Sequence, residues 1–408
     1  MPNELEKYGK KKVNRLKNFR CPAPFRDFMV FEKSTSVCCP EWYDIDKLQE
    51  DFPDDFDPKN PPFAWEVSKL KGKSKILENW NNKFHKRLRE TISKGDYRYC
   101  SLMCPWLNKI NEASQIELEE EYYGGDIWQN ENKTLTYYKE KLAHLTLPER
   151  VYFNFDTSCN LKCPSCRLEK ITNKINIGNR EILAAIDTQL GQGIKYITLT
   201  GSGDPFYSNI FREWLAAPKE KRYPKLKSIA IISNGNLFTP EVWEKIKPSR
   251  KYINIMEWSI DAATKETYET KTRLNGKWDR LMNNMDFLAT IENQFTGGLV
   301  FSFVIQDVNY KEINYFKELI LDKFKNYSGT ITIMYRAIQD WGHQSKDWMK
   351  QKNICDPHHP KHQDFLKEFY KVAKIRSFRS NEKLVTIDSN VFHLLDPNKI
   401  GVEAPKFI

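Results

Sequence analysis

RVYFNFDTSCNLKCPSCRLEK, residues 150–170, decides how the chain is read. Its first seven residues set branched and aromatic side chains between polar ones, the pattern of a buried strand. Immediately beyond that strand, Cys159, Cys163 and Cys166 sit in one loop, separated by three and then two residues. In barrels of alternating strands and helices, functional groups gather at this end of the strands.

Outward from this stretch the strand–helix unit recurs. YITLTG (196–201), KSIAIISN (227–234), INIMEWSID (253–261), LVFSFVIQ (299–306) and TITIMYR (330–336) read as further buried strands. Between them REILAAIDTQLGQG, FREWLAA, TPEVWEKIKP, WDRLMNNMDFLATIENQ and NYFKELILDKF carry helical spacing. Such repetition predicts an α/β fold with a parallel sheet, and six strands fit a partial (β/α)6 barrel over residues 148–340. Residues 1–114 differ: prolines cluster in DFPDDFDPKNPPF, strands and helices do not alternate, and cysteines are widely spaced. They predict a small cysteine-rich domain with little regular structure. Residues 115–147 read as a linker, and 341–408 as a C-terminal extension packing on the barrel.

The 408 residues are 40% hydrophobic and 13% aromatic, which supplies a core and argues against disorder. No stretch approaches the apolar length of a membrane helix, and MPNELEKYGKKKVNRLKNFR lacks the apolar core of a secretory signal. A cytoplasmic protein without a membrane partner is therefore expected. The net charge of +10 falls partly in the first twenty residues and in KFHKRLRETISKGDYR. A solvated lysine-rich surface explains it; such a surface can also attract an acidic peptide, an anionic cofactor or nucleic acid, the last not expected as a partner. Nine cysteines in a reducing compartment point to metal or redox chemistry.

Three thiolates from one loop suit a 4Fe–4S cluster that keeps one iron open. An open iron can bind the amino and carboxylate groups of S-adenosylmethionine (SAM), a cofactor of radical chemistry. An electron from the cluster then breaks a carbon–sulfur bond and yields a 5′-deoxyadenosyl radical. The alternative is a zinc site completed by a distant cysteine or histidine, although zinc ribbons usually show paired CxxC knuckles.

CNLKCPSC, with GSGDP (201–205), ISNGN (232–236) and SIDAATKETYE (259–269), resembles the radical SAM superfamily, above all members with SPASM or twitch auxiliary-cluster domains. The resemblance runs to about Ile338 and, separately, takes in the N-terminal cysteines. It implies that Gly201, Ser202, Gly203 and Asp204 hold the methionyl amino group, with Asp204 where Glu is commoner. It places Ser233, Asn234, Ser259 and Asp261 against the carboxylate and ribose of SAM, Asp261 on the ribose hydroxyls. The plainer role for Asp261 is capping a helix that starts near Ala263. Arg273 is implied to pair with the SAM carboxylate, and Val304 and Ile305 to pack near the adenine. Surface solvation and strand packing are their respective alternatives.

Cys21, Cys38, Cys100 and Cys104 form a second constellation, with Cys39 competing for the place of Cys38. Four thiolates can enclose an auxiliary 4Fe–4S cluster completely, for electron transfer or support, or hold a structural zinc. Auxiliary domains of the SPASM and twitch type normally follow the barrel, whereas these cysteines precede it. The resemblance implies hydrogen abstraction from a peptide or protein, or alternatively from a sugar, nucleoside or other small metabolite. A flavodoxin or ferredoxin would serve as electron donor. A reading of another class, a non-catalytic iron–sulfur electron carrier or nucleic-acid-binding protein, needs only closed clusters. Cys355 beside His358, His359 and His362 reads as a loop cysteine, and Asp340, Trp341 and His343 as residues lining the opening after the sixth strand.

Overall fold

The computed structural model describes residues 21–55, 69–70, 72–101, 104, 147–172, 176–291, 294–295, 297–341, 343–373 and 383–387. The expected linker, apart from residue 147, lies outside them, as do residues 1–20 and 388–408. The strands are β1 (Asp27–Phe31), β2 (Thr35–Ser36), β3 (Arg150–Asn154), β4 (Tyr196–Leu199) and β5 (Ser228–Ser233). They continue with β6 (Ile253–Ser259), β7 (Gly298–Ile305), β8 (Ile331–Ala337) and β9 (Lys383–Ile387). They form one sheet in the order β2-β1-β3-β4-β5-β6-β7-β8-β9. All neighbours are parallel except β1 and β2. The six expected strands are β3 to β8, in the expected succession.

The helices that cross between strands begin where side-chain oxygens meet the first unbonded backbone N–H groups. Asn176 accepts from Asn179 N at 2.9 Å and Ser208 from Phe211 N at 3.1 Å. These caps start Ile177–Gln189 and Asn209–Ala216. Alternation then fixes which strand face is which. Phe301 and Phe303 of β7 pack against Phe324 and Phe316, 4.8 and 4.9 Å between ring centres, on and just after the helix Ile313–Lys323. Val300, Ser302 and Val304 therefore face the barrel interior. Ser259 and Ser302 meet there, oxygen to oxygen, at 2.9 Å, and Glu257 pairs with Arg336 at 3.2 Å.

The N-terminal segment departs from its expected irregularity. β1 lies parallel to β3 with Asp27 opposite Arg150, so it lengthens the barrel's own sheet. Phe28 of β1 packs edge-on to Trp80 at 5.3 Å, and the Arg89 guanidinium covers that indole at 3.9 Å. Arg89 belongs to the helix Lys83–Ser93 and donates to the Pro24 and Trp80 carbonyls at 2.6 and 2.9 Å. At the other edge Lys383–Ile387, expected to pack on or cover the barrel, pairs with β8 as a further strand. Among the described residues no helix is long and apolar enough to cross a membrane.

His85, on the helix Lys83–Ser93, is fully buried between Phe28 and Phe84. Burial, and then the neighbouring Arg89 charge, push its imidazole down to about 3. Below about pH 6.5 the unfolded chain takes up a proton that the folded chain refuses, so stability falls with pH until about pH 3. Between pH 6 and 4 the wild type should lose about 1.4 kcal/mol per pH unit more than His85→Gln, which stays neutral throughout. Urea unfolding of both proteins across that range measures the difference.

Candidate active site

The first strand of the barrel proper, β3, delivers the chain to the cysteine loop, and hydrogen bonds hold the loop's shape. Cys159 N donates to Ile171 O at 2.9 Å, closing the loop on itself, and Lys162 N donates to Leu274 O at 2.9 Å. Cys159, Cys163 and Leu161 pack as a small buried group with Cys166 against it. Each cysteine sulfur faces a side-chain N–H. Asn234 Nδ2 donates to Cys159 Sγ at 3.8 Å, Arg273 Nη1 to Cys163 Sγ at 3.4 Å and Arg167 Nη2 to Cys166 Sγ at 3.5 Å. Burial pushes the Cys159 thiol up to about 12, with the Asp204 carboxylate adding to the rise and Arg167 opposing it. Burial raises Cys163 as well, against the pull of Arg273.

The glycine-rich loop after β4 is shaped by Thr200, whose backbone takes the left-handed φ of 57°. Its hydroxyl accepts from Ser202 N at 3.1 Å and Gly203 N at 2.9 Å. Gly203 is required by contact: a Cβ there would stand 2.5 Å from Asp156 O and 2.7 Å from Ser158 O. At Gly201 a Cβ would meet nothing nearer than Asn154 Oδ1 at 3.8 Å, leaving its backbone open to approach. Asp204 is buried, and its carboxylate bonds within the protein: Oδ1 to Phe206 N at 3.0 Å, Oδ2 to Ser233 Oγ at 2.8 Å and Asn234 N at 2.9 Å. It thereby ties the loop after β4 to the end of β5.

Asp261 and Arg273 meet directly. Asp261, at a φ of 59°, lies 2.7 Å from Arg273 Nη2 and accepts from Val304 N at 2.8 Å. Burial pushes its carboxyl up, and Arg273 is the main opposing influence. The helix that Asp261 would cap on the alternative reading starts later and is capped by Thr264. Ser259 lies on the interior wall against Ser302, Val304 is half-buried beside Asp261, and Ile305 is wholly buried. The structure thus gathers the cysteine loop, Asp204, Ser233, Asn234, Asp261 and Arg273 at the C-terminal ends of neighbouring strands. Arg167 escaped the sequence reading. It follows Cys166 and also donates to Thr157 O at 2.8 Å and Ser202 O at 2.7 Å. A basic residue immediately after the third cysteine was the available signal.

At the N-terminal cysteines, burial raises the Cys38 thiol well above its usual range, and Cys104, Cys21, Cys100 and, least, Cys39 add to it. Cys100 is raised likewise by burial, then by Cys104 and Cys21. An antiparallel bridge between Tyr43 and Cys100, with Cys21 N donating to Tyr97 Oη at 3.2 Å, draws these segments together. β2 returns antiparallel with Ser36 opposite Met29, so Cys38 lies toward the start of β1. Cys159 lies beyond the end of β3, so the two cysteine groups occupy opposite ends of the strands. Among the described residues no three Cys, His, Asp or Glu side chains stand close enough to hold a single metal ion. Cys355 is buried, and burial pushes its thiol up to about 12.

Residues 153–320 match the family model described as the radical SAM superfamily. This stretch of the chain is a radical SAM domain. The radical SAM domain implies a 4Fe–4S cluster and SAM, and the general reductive chemistry of that pair. No curated protein matches the sequence. A similar solved structure is that of Streptococcus suis SuiB bound to S-adenosylmethionine, 13% identical with a TM-score of 0.38. The match covers 79% of this chain and 66% of SuiB, so the chain spans just under two-thirds of that protein.

Because Asp261 neutralises a buried guanidinium, Asp261→Ala should destabilise the protein even without SAM. Breaking a buried pair of this kind costs about 3–5 kcal/mol. Denaturant unfolding of the cofactor-free protein should show that loss, and an unchanged midpoint would leave Arg273 without need of Asp261.

Proposed function

We propose that Cys159, Cys163 and Cys166 hold a 4Fe–4S cluster, and that the enzyme abstracts hydrogen from a peptide or protein substrate. The carrying observation is the loop in which three thiols at a strand end each meet an N–H donor. Soft thiolates are the expected ligands of such a cluster, and an enclosed site favours it over an exposed one. When bound, the cluster supplies the electron that cleaves SAM to a 5′-deoxyadenosyl radical. The chain's own groups prepare the place for SAM. The open backbone at Gly201 leaves room for its methionyl end, while the Ser259 and Ser302 hydroxyls offer hydrogen bonds from the interior wall. Asp204 and Asp261 act by fixing the loops, since both carboxylates already bond to protein groups.

The polar interior wall, including the Glu257–Arg336 pair, supports a polar substrate; a small metabolite is the alternative to a peptide. Cys21, Cys38, Cys100 and Cys104 are proposed to hold an auxiliary cluster, supported by the mutual influence of their thiols. Its place toward the start of β1 favours support or electron transfer over contact with a substrate at the mouth. A flavodoxin or ferredoxin is the proposed electron donor, and the cytoplasm, which keeps thiols reduced, the proposed location.

Anaerobic reconstitution with iron and sulfide, followed by chromatography after adding dithionite and SAM, should yield 5′-deoxyadenosine. Replacing Cys159, Cys163 and Cys166 together with Ala should abolish that product and remove about half of the iron, if both sites hold cubanes. Normal 5′-deoxyadenosine formation by the triple variant would overturn the assignment. Replacing Cys100 and Cys104 with Ala should remove the other half of the iron and leave part of the SAM cleavage. One zinc and no iron at that site, after preparation with both metals available, would make it structural.

A further inference from the structure

We infer that Arg167, Arg273 and Asn234 form a donor shell that raises the reduction potential of the cluster at Cys159, Cys163 and Cys166. The inference rests on the cluster assignment proposed above. Each ligand sulfur has its own side-chain donor, and the three donors come from different parts of the barrel. Arg167 closes the cysteine loop, Asn234 follows β5, and Arg273 follows the short helical stretch after Asp261. Cys159 Sγ receives a second N–H, from Leu161 at 3.5 Å. All three donor side chains are buried or nearly so, which weakens screening by solvent.

The sign follows from charge. One-electron reduction by an external donor adds one negative charge to the cluster and forms or breaks no bond to these residues. Donors and cations at the sulfurs stabilise the more negative form, and hydrogen bonds to sulfur are among the established controls of cluster potential. The nearby carboxylates offset the shell unequally. Asp261 pairs with Arg273 at 2.7 Å and takes up much of its charge. Arg167 instead donates to two backbone carbonyls, Thr157 O and Ser202 O, besides its sulfur. On the other side of Cys159, Asp204 acts in the opposite sense but is held by three N–H and O–H donors. Arg167 is therefore the positioning residue whose charge bears most directly on the sulfurs. Asn234, a neutral dipole at 3.8 Å, contributes less.

The test is a dithionite titration of the reconstituted full-length enzyme, following the electron paramagnetic resonance signal that changes when SAM is added. Arg167→Met should titrate at lower potential than wild type, Arg167→Lys should recover much of the difference, and Asn234→Ala should shift less in the same direction. Wild-type potentials in both Arg167→Met and Asn234→Ala would overturn the shell. If Arg167→Met takes up no iron, the other two carry the decision: an unchanged Asn234→Ala, or an Arg167→Lys lower than Asn234→Ala, overturns it. A wild-type protein with no SAM-responsive signal would instead overturn the cluster assignment.

Discussion

The Arg273 guanidinium spans the mouth of the barrel, and much of the site's geometry depends on where it is held. It reaches Cys163 on the loop after β3, Asp261 after β6 and the carbonyl of Ile260, at 3.4, 2.7 and 3.3 Å. A cation this deeply buried is tolerated only beside an opposing charge and with its N–H groups satisfied. Asp261 supplies the charge, and Ile260 O and Cys163 Sγ take further N–H groups. In turn Asp261 is fixed by Val304 N from β7 and by its left-handed backbone, whose carbonyl accepts from Asn309 Nδ2 at 2.9 Å. One ion pair therefore couples the cysteine loop to the two strands at the far side of the half-barrel.

Asp204 performs the matching task on the near side. Its oxygens gather Ser233, Asn234 and Phe206, and its own N–H donates to Ser158 O at 2.8 Å, just ahead of Cys159. Thr200 and Gly203 make that approach possible, the first by folding the glycine-rich loop back on its hydroxyl, the second by having no Cβ. Buried carboxylates on both sides of the mouth are thus structural ties. Other polar groups stand near these ties, among them the backbone at Gly201 and the Ser259 and Ser302 hydroxyls on the interior wall.

The barrel strands were legible because each buries one face against helices, which writes a strong apolar pattern into four to eight residues. β1 was not, since DFMVF stands among prolines and cysteines that signal loops, and its partner β3 lies more than a hundred residues away. β9 was hidden because it is a single short strand of five residues. At the site, the motif positions of Asp204, Asp261 and Arg273 were visible in the sequence, but their partners were not. Spacing along a chain says which strand end a carboxylate occupies; it does not say that Ser233 or Val304 arrives there to occupy it. Arg167 was overlooked for the converse reason. A charged residue next to a ligand reads as solvated surface until Thr157 and Ser202 are seen to turn it inward.

The electrostatics of the cysteine loop follow from these contacts. Burial favours the neutral thiol at Cys159 and Cys163, so a metal bound there would have to displace protons from groups that hold them tightly. At Cys163 the charge and N–H of Arg273 act against burial, because they favour the thiolate. The same arrangement resists a second outcome. That outcome is displacement of the loop, which would break the bonds its backbone donates to Ile171 O and Leu274 O and those its sulfurs accept from the two arginines. The loop is thus held both from within, by Arg167, and from beyond β5 and β6, by Asn234 and Arg273.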